Sequence, residues 1–134
     1  MTLTEKPPVF THLSELLSWS LDRTADFPKS HRFTIGQRID NFTLDALERC
    51  LEAIYAPAAE KREPLMKLNL LLEKLRVFWR LAHQREWLSQ QQLFFVIRKV
   101  DEVGRMVGAW VKTLPSSSLS GKPPAGGAPA PRPR

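Results

Sequence analysis

The sequence predicts an all-α protein built as an up-down-up-down antiparallel four-helix bundle. Apolar residues recur at spacings of three and four in separate segments, and the alternation typical of β-strands is absent. The 134 residues are 43% hydrophobic, which suits one small domain with a modest core. Short connections between long amphipathic helices favour antiparallel neighbours, so the bundle is the most economical arrangement.

Three regions are expected along the chain. A flexible N-terminus over residues 1–8 precedes the bundle, which occupies residues 9–113. The remaining residues, 114–134, are rich in Pro, Gly, Ser and Ala. Such a composition buries too little apolar surface to offset the entropy of ordering, so this C-terminal tail is predicted to be disordered.

The first two predicted helices are separated by a proline. The first runs from about residue 9 to residue 25, and Pro28 disfavours helix at the residue before it. The second runs from about residue 35 until Pro57 stops it at residue 56. The apolar face of the first comprises Phe10, Leu13, Leu17 and Leu21, and that of the second comprises Ile39, Phe42, Ala46, Cys50 and Ile54.

The second helix has a possible cap within the segment FPKSHRFTIGQR, residues 27–38. Thr34 followed by Gln37 matches the Thr-x-x-Gln capping box, which places Gly36 at the second helical position. One glycine cannot supply the run of amides that cradles a phosphate, so a P-loop is excluded. Lys29, Arg32 and Arg38 would still surround a helix N-terminus, whose free amides favour an anion.

The last two predicted helices are the longest. The third begins near Pro64, a residue tolerated in the first turn, and continues to about Arg85. The fourth follows Ser89, whose Ser-x-x-Gln pattern is a capping box, and ends at about Thr113. Its apolar seam alternates spacings of three and four and comprises Leu93, Val96, Val100, Val103, Val107 and Trp110.

The third helix carries more apolar residues than one seam can use. Its main face comprises Leu68, Leu71, Leu72, Leu75, Phe78, Trp79 and Ala82. A second apolar stripe, Met66, Leu70, Val77 and Leu81, lies nearly opposite. A contiguous apolar strip on a surface usually marks a partner site, so self-association or a protein partner is predicted there. The alternative is that the N-terminal segment or a loop covers it.

Positive charge is concentrated in the second half of the chain. Residues 61–113 hold 11 Lys and Arg against 5 Asp and Glu, whereas residues 1–60 hold 6 against 9. On the fourth helix Arg98, Arg105 and Lys112 are seven apart, so they stack along one side. With Arg76 and Arg80 on the third helix they form a candidate contact for a phosphate backbone. The alternative is a merely solvated charged face.

Catalytic motifs are scarce in the sequence. It contains no GxxxxGK[ST] and no HExxH, and its three histidines are not paired at metal-ligand spacing, so neither a metal nor another cofactor is expected. Arg76 and His83 enclose six residues, a spacing that resembles the Arg-x(4–6)-His motif of HEPN-type ribonucleases. We nevertheless expect a protein that is not an enzyme. The aromatic residues Trp19, Phe42, Phe78, Trp79 and Trp110 are interpreted mostly as core.

Cysteine content and hydropathy indicate the compartment. Cys50 is the only cysteine, so no internal disulfide can form. The sequence has neither a signal peptide nor an apolar run long enough to cross a membrane. A soluble, cytoplasmic protein is therefore expected.

From about Phe27 to Lys112 the chain resembles the accessory variability determinants (Avd) of diversity-generating retroelements. These belong to a four-helix-bundle family that also includes proteins encoded in intervening sequences of bacterial rRNA genes. The resemblance rests on FPKSHRFTIGQRI, residues 27–39, KLNLLLEKLRVFWRLA, residues 67–82, and DEVGRMVGAWVK, residues 101–112.

The resemblance implies a basic, homopentameric, helical protein that binds the reverse transcriptase of its retroelement and nucleic acid, either template RNA or cDNA. The matching basic positions are Lys29, Arg32, Arg38, Arg76, Arg80 and Arg105. Two other functions stay open: a protein-interaction bundle without a retroelement role, and a HEPN-like ribonuclease.

Overall fold

The computed structural model describes residues 6–115 and is all-helical over that range, with no β-strand. Four long helices dominate it: α1 (Pro8–Thr24), α2 (Gln37–Tyr55), α3 (Arg62–Gln84) and α4 (Gln90–Lys112). The predicted fold class is thereby confirmed as all-α with four main helices. Residues 1–5 of the predicted flexible N-terminus and residues 116–134 of the predicted tail lie outside the described residues, and helix already begins at Pro8.

The four helices pack around one apolar core. Helix α2 packs against α1 and α3, α4 packs against α3, and α1 also contacts α4. The predicted seam of α4 is buried at Val96, Val100, Val103 and Val107, and Trp79 is the largest fully buried side chain. Each buried aliphatic side chain contributes about 1.5–3 kcal/mol relative to an exposed one, so this core supplies the main driving force of folding.

The apolar face of α1 differs from its prediction. Leu13 is buried as expected, but Leu21 is 45% exposed, and the small polar residues Ser20 and Thr24 are buried instead. Apolar spacing alone does not detect a helix face completed by small polar residues. At Thr24 the polar group is satisfied, since its hydroxyl donates to the carboxylate of Asp40 on α2 at 2.8 Å.

The two ends of the α3–α4 connection have well-defined caps. The predicted capping box of α4 is confirmed: the Ser89 hydroxyl accepts from the amide of Gln92, whose side chain accepts from the amide of Ser89. At the end of α3 the amide of Trp87 donates to the carbonyl of Ala82, and Glu86 has a φ of 65°. A left-handed residue and this hydrogen bond define a Schellman motif, which stops α3 and turns the chain toward α4.

The predicted cap of the second helix is wrong. The chain becomes helical at Lys29–His31, passes through a π-helical segment at Arg32–Gly36 and continues without a break into α2. Thr34 therefore lies inside the helix, where its hydroxyl donates to the carbonyl of His31 at 3.3 Å rather than forming a capping box. Gly36 is buried, and a Cβ there would lie 3.4 Å from the ring of Phe27, which is an ordinary van der Waals contact.

The π segment sets which side chains face solvent. Arg32 precedes Ile39 by seven residues, so an unbroken α-helix would turn its charge toward the core. The wider i to i+5 turn changes this register, and both Arg32 and Phe33 are exposed, Phe33 by 78%. Such π segments frequently occur at functional sites, which makes this part of the surface a candidate binding region.

Candidate functional site

A basic concave surface lies along α4. A groove of about 350 Å³ is lined by Phe95, Arg98, Lys99, Glu102 and Arg105. Arg98 and Arg105 are exposed, as the seven-residue spacing requires, while Lys112 lies further along α4 outside the groove. Three cations against one carboxylate give this α4 groove a net positive charge, which favours an anionic ligand.

Three residues of the α4 groove, Phe95, Lys99 and Glu102, were not among the predicted positions. Lys99 lies 5.8 Å from the ring centroid of Phe95, a cation–π contact, and 4.0 Å from the carboxylate of Glu102. That carboxylate also lies 3.6 Å from Nδ1 of His12 on α1. Lys99 lies four residues after Phe95 and three residues before Glu102, so its place beside these two side chains was detectable from helical spacing.

The guanidinium of Arg76 on α3 forms ion pairs with two carboxylates. Its Nε donates to Oδ1 of Asp101 on α4 at 2.7 Å, and its Nη1 to Oε1 of Glu73 at 3.1 Å. Only 23% of its side chain is exposed. These two hydrogen bonds and the low exposure make Arg76 less available to a phosphate than Arg80, which lies one turn further along α3 and is exposed.

The basic residues of the segment 27–38 lie around the π segment. Lys29, Arg32 and Arg38 are all exposed. Arg32 donates through Nε to the carbonyl of Phe27 at 3.1 Å, which fixes the base of its guanidinium. Because helix begins at Lys29, Arg38 lies more than two turns beyond the helix N-terminus, and the three residues do not surround one set of free amides.

The second apolar stripe of α3 is largely solvent-exposed in the single chain. Met66 is 50% exposed, Leu70 57% and Val77 52%, while Leu81 is half-buried. No segment of residues 6–115 covers the three exposed positions. The stripe is thus an unpartnered apolar face of the described part of the chain.

Within residues 6–115, reactive or metal-binding side chains are not gathered at a common site. Burial raises the pKa of the Cys50 thiol to about 11, so it is not a thiolate at neutral pH. Within the described residues no group of three His, Cys, Asp or Glu side chains is placed to hold a metal ion. The helices of residues 6–115 are also too short or too polar to cross a membrane.

Comparison with known families decides the assignment. The bAvd-like family model matches residues 9–114, from the first turn of α1 to just beyond α4. The chain belongs to the bAvd-like family. The match covers all four helices and confirms the resemblance to accessory variability determinants. Neither a curated protein nor a solved structure matches the chain.

The geometry divides the predicted positions of this bAvd-like chain into three groups. Arg98 and Arg105 share the α4 groove, and Lys29, Arg32 and Arg38 lie around the π segment. Arg76 is engaged in a cross-helix ion pair, while Arg80 and Lys112 are exposed outside the α4 groove. The predicted residues therefore do not form a single site.

Proposed function

We propose that this bAvd-like protein is a non-catalytic accessory protein of a diversity-generating retroelement. It binds the element's reverse transcriptase and nucleic acid, either template RNA or cDNA, in the cytoplasm and so supports mutagenic reverse transcription. The α4 groove carries the proposal, because Arg98, Lys99 and Arg105 present three cations on one surface. Family membership supports it through the resemblance to accessory variability determinants.

Binding at the α4 groove would be dominated by charge. Arg98 and Arg105 donate in a planar fork that matches phosphate oxygens, and Lys99 adds a compact ammonium. Such contacts position a nucleic-acid backbone without reading its sequence. Affinity should therefore fall steeply as salt rises.

The proposed assembly is a homopentamer of up-down-up-down antiparallel bundles. Burial of Met66, Leu70 and Val77 between subunits would remove the exposed apolar stripe from water. A ring would also repeat the α4 groove on every subunit, so one nucleic-acid strand could contact several grooves at once.

The proposal excludes a ribonuclease role. In HEPN-type ribonucleases the motif arginine acts at the scissile phosphate. Arg76, the corresponding residue, is instead held by Asp101 and Glu73. We therefore expect no RNA cleavage, and His83→Ala should change nothing in an RNA degradation assay.

The decisive test measures binding of labelled RNA and DNA by fluorescence anisotropy across a series of salt concentrations. The Arg98→Glu/Arg105→Glu variant should abolish binding, while Arg98→Lys/Arg105→Lys, which keeps the charge, should retain most of it. Arg76 is left intact, because a glutamate there would face Asp101 and disturb the fold. Salt-insensitive binding, or unchanged binding by the double glutamate variant, contradicts the proposal.

The remaining alternative is a protein-interaction module without a retroelement role. The genes beside this one discriminate between the two functions, because a reverse transcriptase with paired template and variable repeats accompanies a retroelement accessory protein. Co-purification of the chain with that reverse transcriptase tests the partner directly. Absence of such genes together with absence of nucleic-acid binding would favour the interaction module.

A further inference from the structure

A second groove lies beside the π segment and shares no lining residue with the α4 groove. It encloses about 460 Å³ between the π segment, the start of α2 and α3. Its lining combines two phenylalanines, Phe33 and Phe78, with the side chains of Gln37, Arg38 and Asn41 and no carboxylate. Its volume lies within the range of about 300–1,000 Å³ typical of small-molecule sites.

The aromatic part of this groove has one exposed ring, Phe33, and one ring that packs against a neighbour, Phe78. Phe33 is 78% exposed, the highest value among the large apolar side chains of the described residues. Phe78 is half-buried and packs edge-on against Phe42, with ring centroids 5.1 Å apart. The Nζ of Lys74 lies 5.5 Å from the Phe42 ring centroid, so positive charge is also close.

The polar part of the groove has the chemistry of base-edge recognition. Gln37 and Asn41 are exposed and four residues apart, so their amides lie on one face of α2. Each amide offers both a donor and an acceptor, the combination that pairs with the edge of a nucleobase. Arg38, between them in sequence, supplies a guanidinium that can meet the attached phosphate.

Charge around the groove is complementary to a nucleic-acid strand. Lys29 and Arg32 are exposed on the turns that lead to Phe33. Asp40 lies in a neighbouring groove that Phe33 also lines, and its carboxylate accepts the Thr24 hydroxyl. Exposed aromatic rings flanked by basic residues are the usual means of holding unpaired bases.

We propose that the groove of Phe33, Gln37, Arg38, Asn41 and Phe78 binds an unstacked nucleobase of a single strand, with Phe33 as the stacking surface. The inference rests on the proposed function and adds to it a preference for unpaired over duplex nucleic acid. Paired bases are stacked inside a duplex and cannot reach Phe33, so the duplex would engage only the basic residues.

The test compares three labelled probes of equal length: a single strand, its fully paired duplex and a single strand of abasic sites. Phe33→Ala should weaken binding of the intact single strand by at least about fivefold, the low end for loss of one stacked base. It should leave the duplex and abasic affinities unchanged. Phe33→Trp should keep the preference, and Tyr55→Ala, which removes another exposed aromatic from α2, should have no effect.

The outcomes separate this inference from the proposed function. If the wild-type chain binds none of the probes, both fail. If Arg98→Glu/Arg105→Glu abolishes binding but Phe33→Ala affects all probes equally or not at all, only the inference fails. A changed molecular mass of Phe33→Ala in light scattering would assign the ring to a protein interface and overturn the base site.

Discussion

The guanidinium of Arg76 on α3 reaches across to Asp101 on α4 and lies over Gly104. A Cβ at Gly104 would lie 3.1 Å from Nη2 of Arg76, whereas a Cβ at Gly108, one turn further, would meet nothing within 4 Å. The absent side chain at Gly104 thus makes room for the guanidinium. The same pair explains why Arg76, although basic, is the least available of the predicted phosphate contacts.

Gly104→Ala and Gly108→Ala form a matched pair. Alanine is favoured over glycine inside a helix by about 1 kcal/mol, so Gly108→Ala should raise the free energy of unfolding by about that amount. Gly104→Ala should gain less, because its Cβ would crowd the Arg76 guanidinium, which must shift by a few tenths of an ångström. Urea denaturation measures both. In an Arg76→Ala background the two gains should become equal, and a persistent difference would contradict this explanation.

The backbone conformation of Glu86, at the end of α3, gives a second prediction about stability. Its φ of 65° is costly for a residue with a Cβ, and glycine is the usual residue at this position of a Schellman motif. Glu86→Gly should therefore raise the free energy of unfolding by about 0.5–1 kcal/mol, although glycine also increases the entropy of the unfolded chain. Glu86→Ala removes the same charge but keeps the Cβ, so thermal unfolding should show no comparable gain.

Local patterns in the sequence are sufficient to predict most of the helical fold. Spacing of apolar residues and cap residues located all four helices, with ends within about two residues for α1, α3 and α4. The Ser89 capping box was predictable because both partners lie within one turn. These features depend on neighbours in sequence, so no tertiary information was needed.

The features that were not predicted depend on tertiary packing. Helix before α2 begins at Lys29, where Phe27 is buried against Trp87 with ring centroids 5.2 Å apart. A Thr-x-x-Gln pattern contains no information about that packing, so the capping box that it predicts at Thr34 does not form. The ion pair of Arg76 with Asp101 joins residues 25 apart in sequence, and helical spacing on either helix alone does not reveal it.

The partly buried pair of Thr24 and Asp40 predicts a pH dependence of stability. Burial raises the pKa of Asp40 above its ordinary value of 3.8, and the hydrogen bond from Thr24 opposes that rise. The folded chain therefore binds this proton more tightly than the unfolded chain. Its contribution to the free energy of unfolding falls as the pH rises from 3.8 through the raised pKa. Asp40→Asn should remove that fall in denaturation measured across the acidic range.

Thr24→Val tests the hydrogen bond itself. Loss of the hydroxyl removes the interaction that lowers the pKa of Asp40, so that pKa should rise further in a carboxyl NMR titration. The free energy of unfolding should also drop by about 1–3 kcal/mol at neutral pH, since the carboxylate loses a donor. Thr24→Ser keeps the donor and should preserve both values. An unchanged Asp40 pKa in Thr24→Val would refute the assignment.

The exposed stripe on α3 predicts self-association. Leu70 is 57% exposed within the stripe, and Leu44 on α2 is 40% exposed outside it, so the two leucines make a matched comparison. A glutamate at Leu70 would place an unpaired charge in a desolvated interface, which is strongly unfavourable. Leu70→Glu should therefore reduce the molecular mass in light scattering to that of one chain, while Leu44→Glu keeps the assembly. Circular dichroism should show that both variants retain their helices, since both positions face solvent in the single chain. A wild-type chain that is already monomeric would overturn the assembly and leave the stripe for another protein.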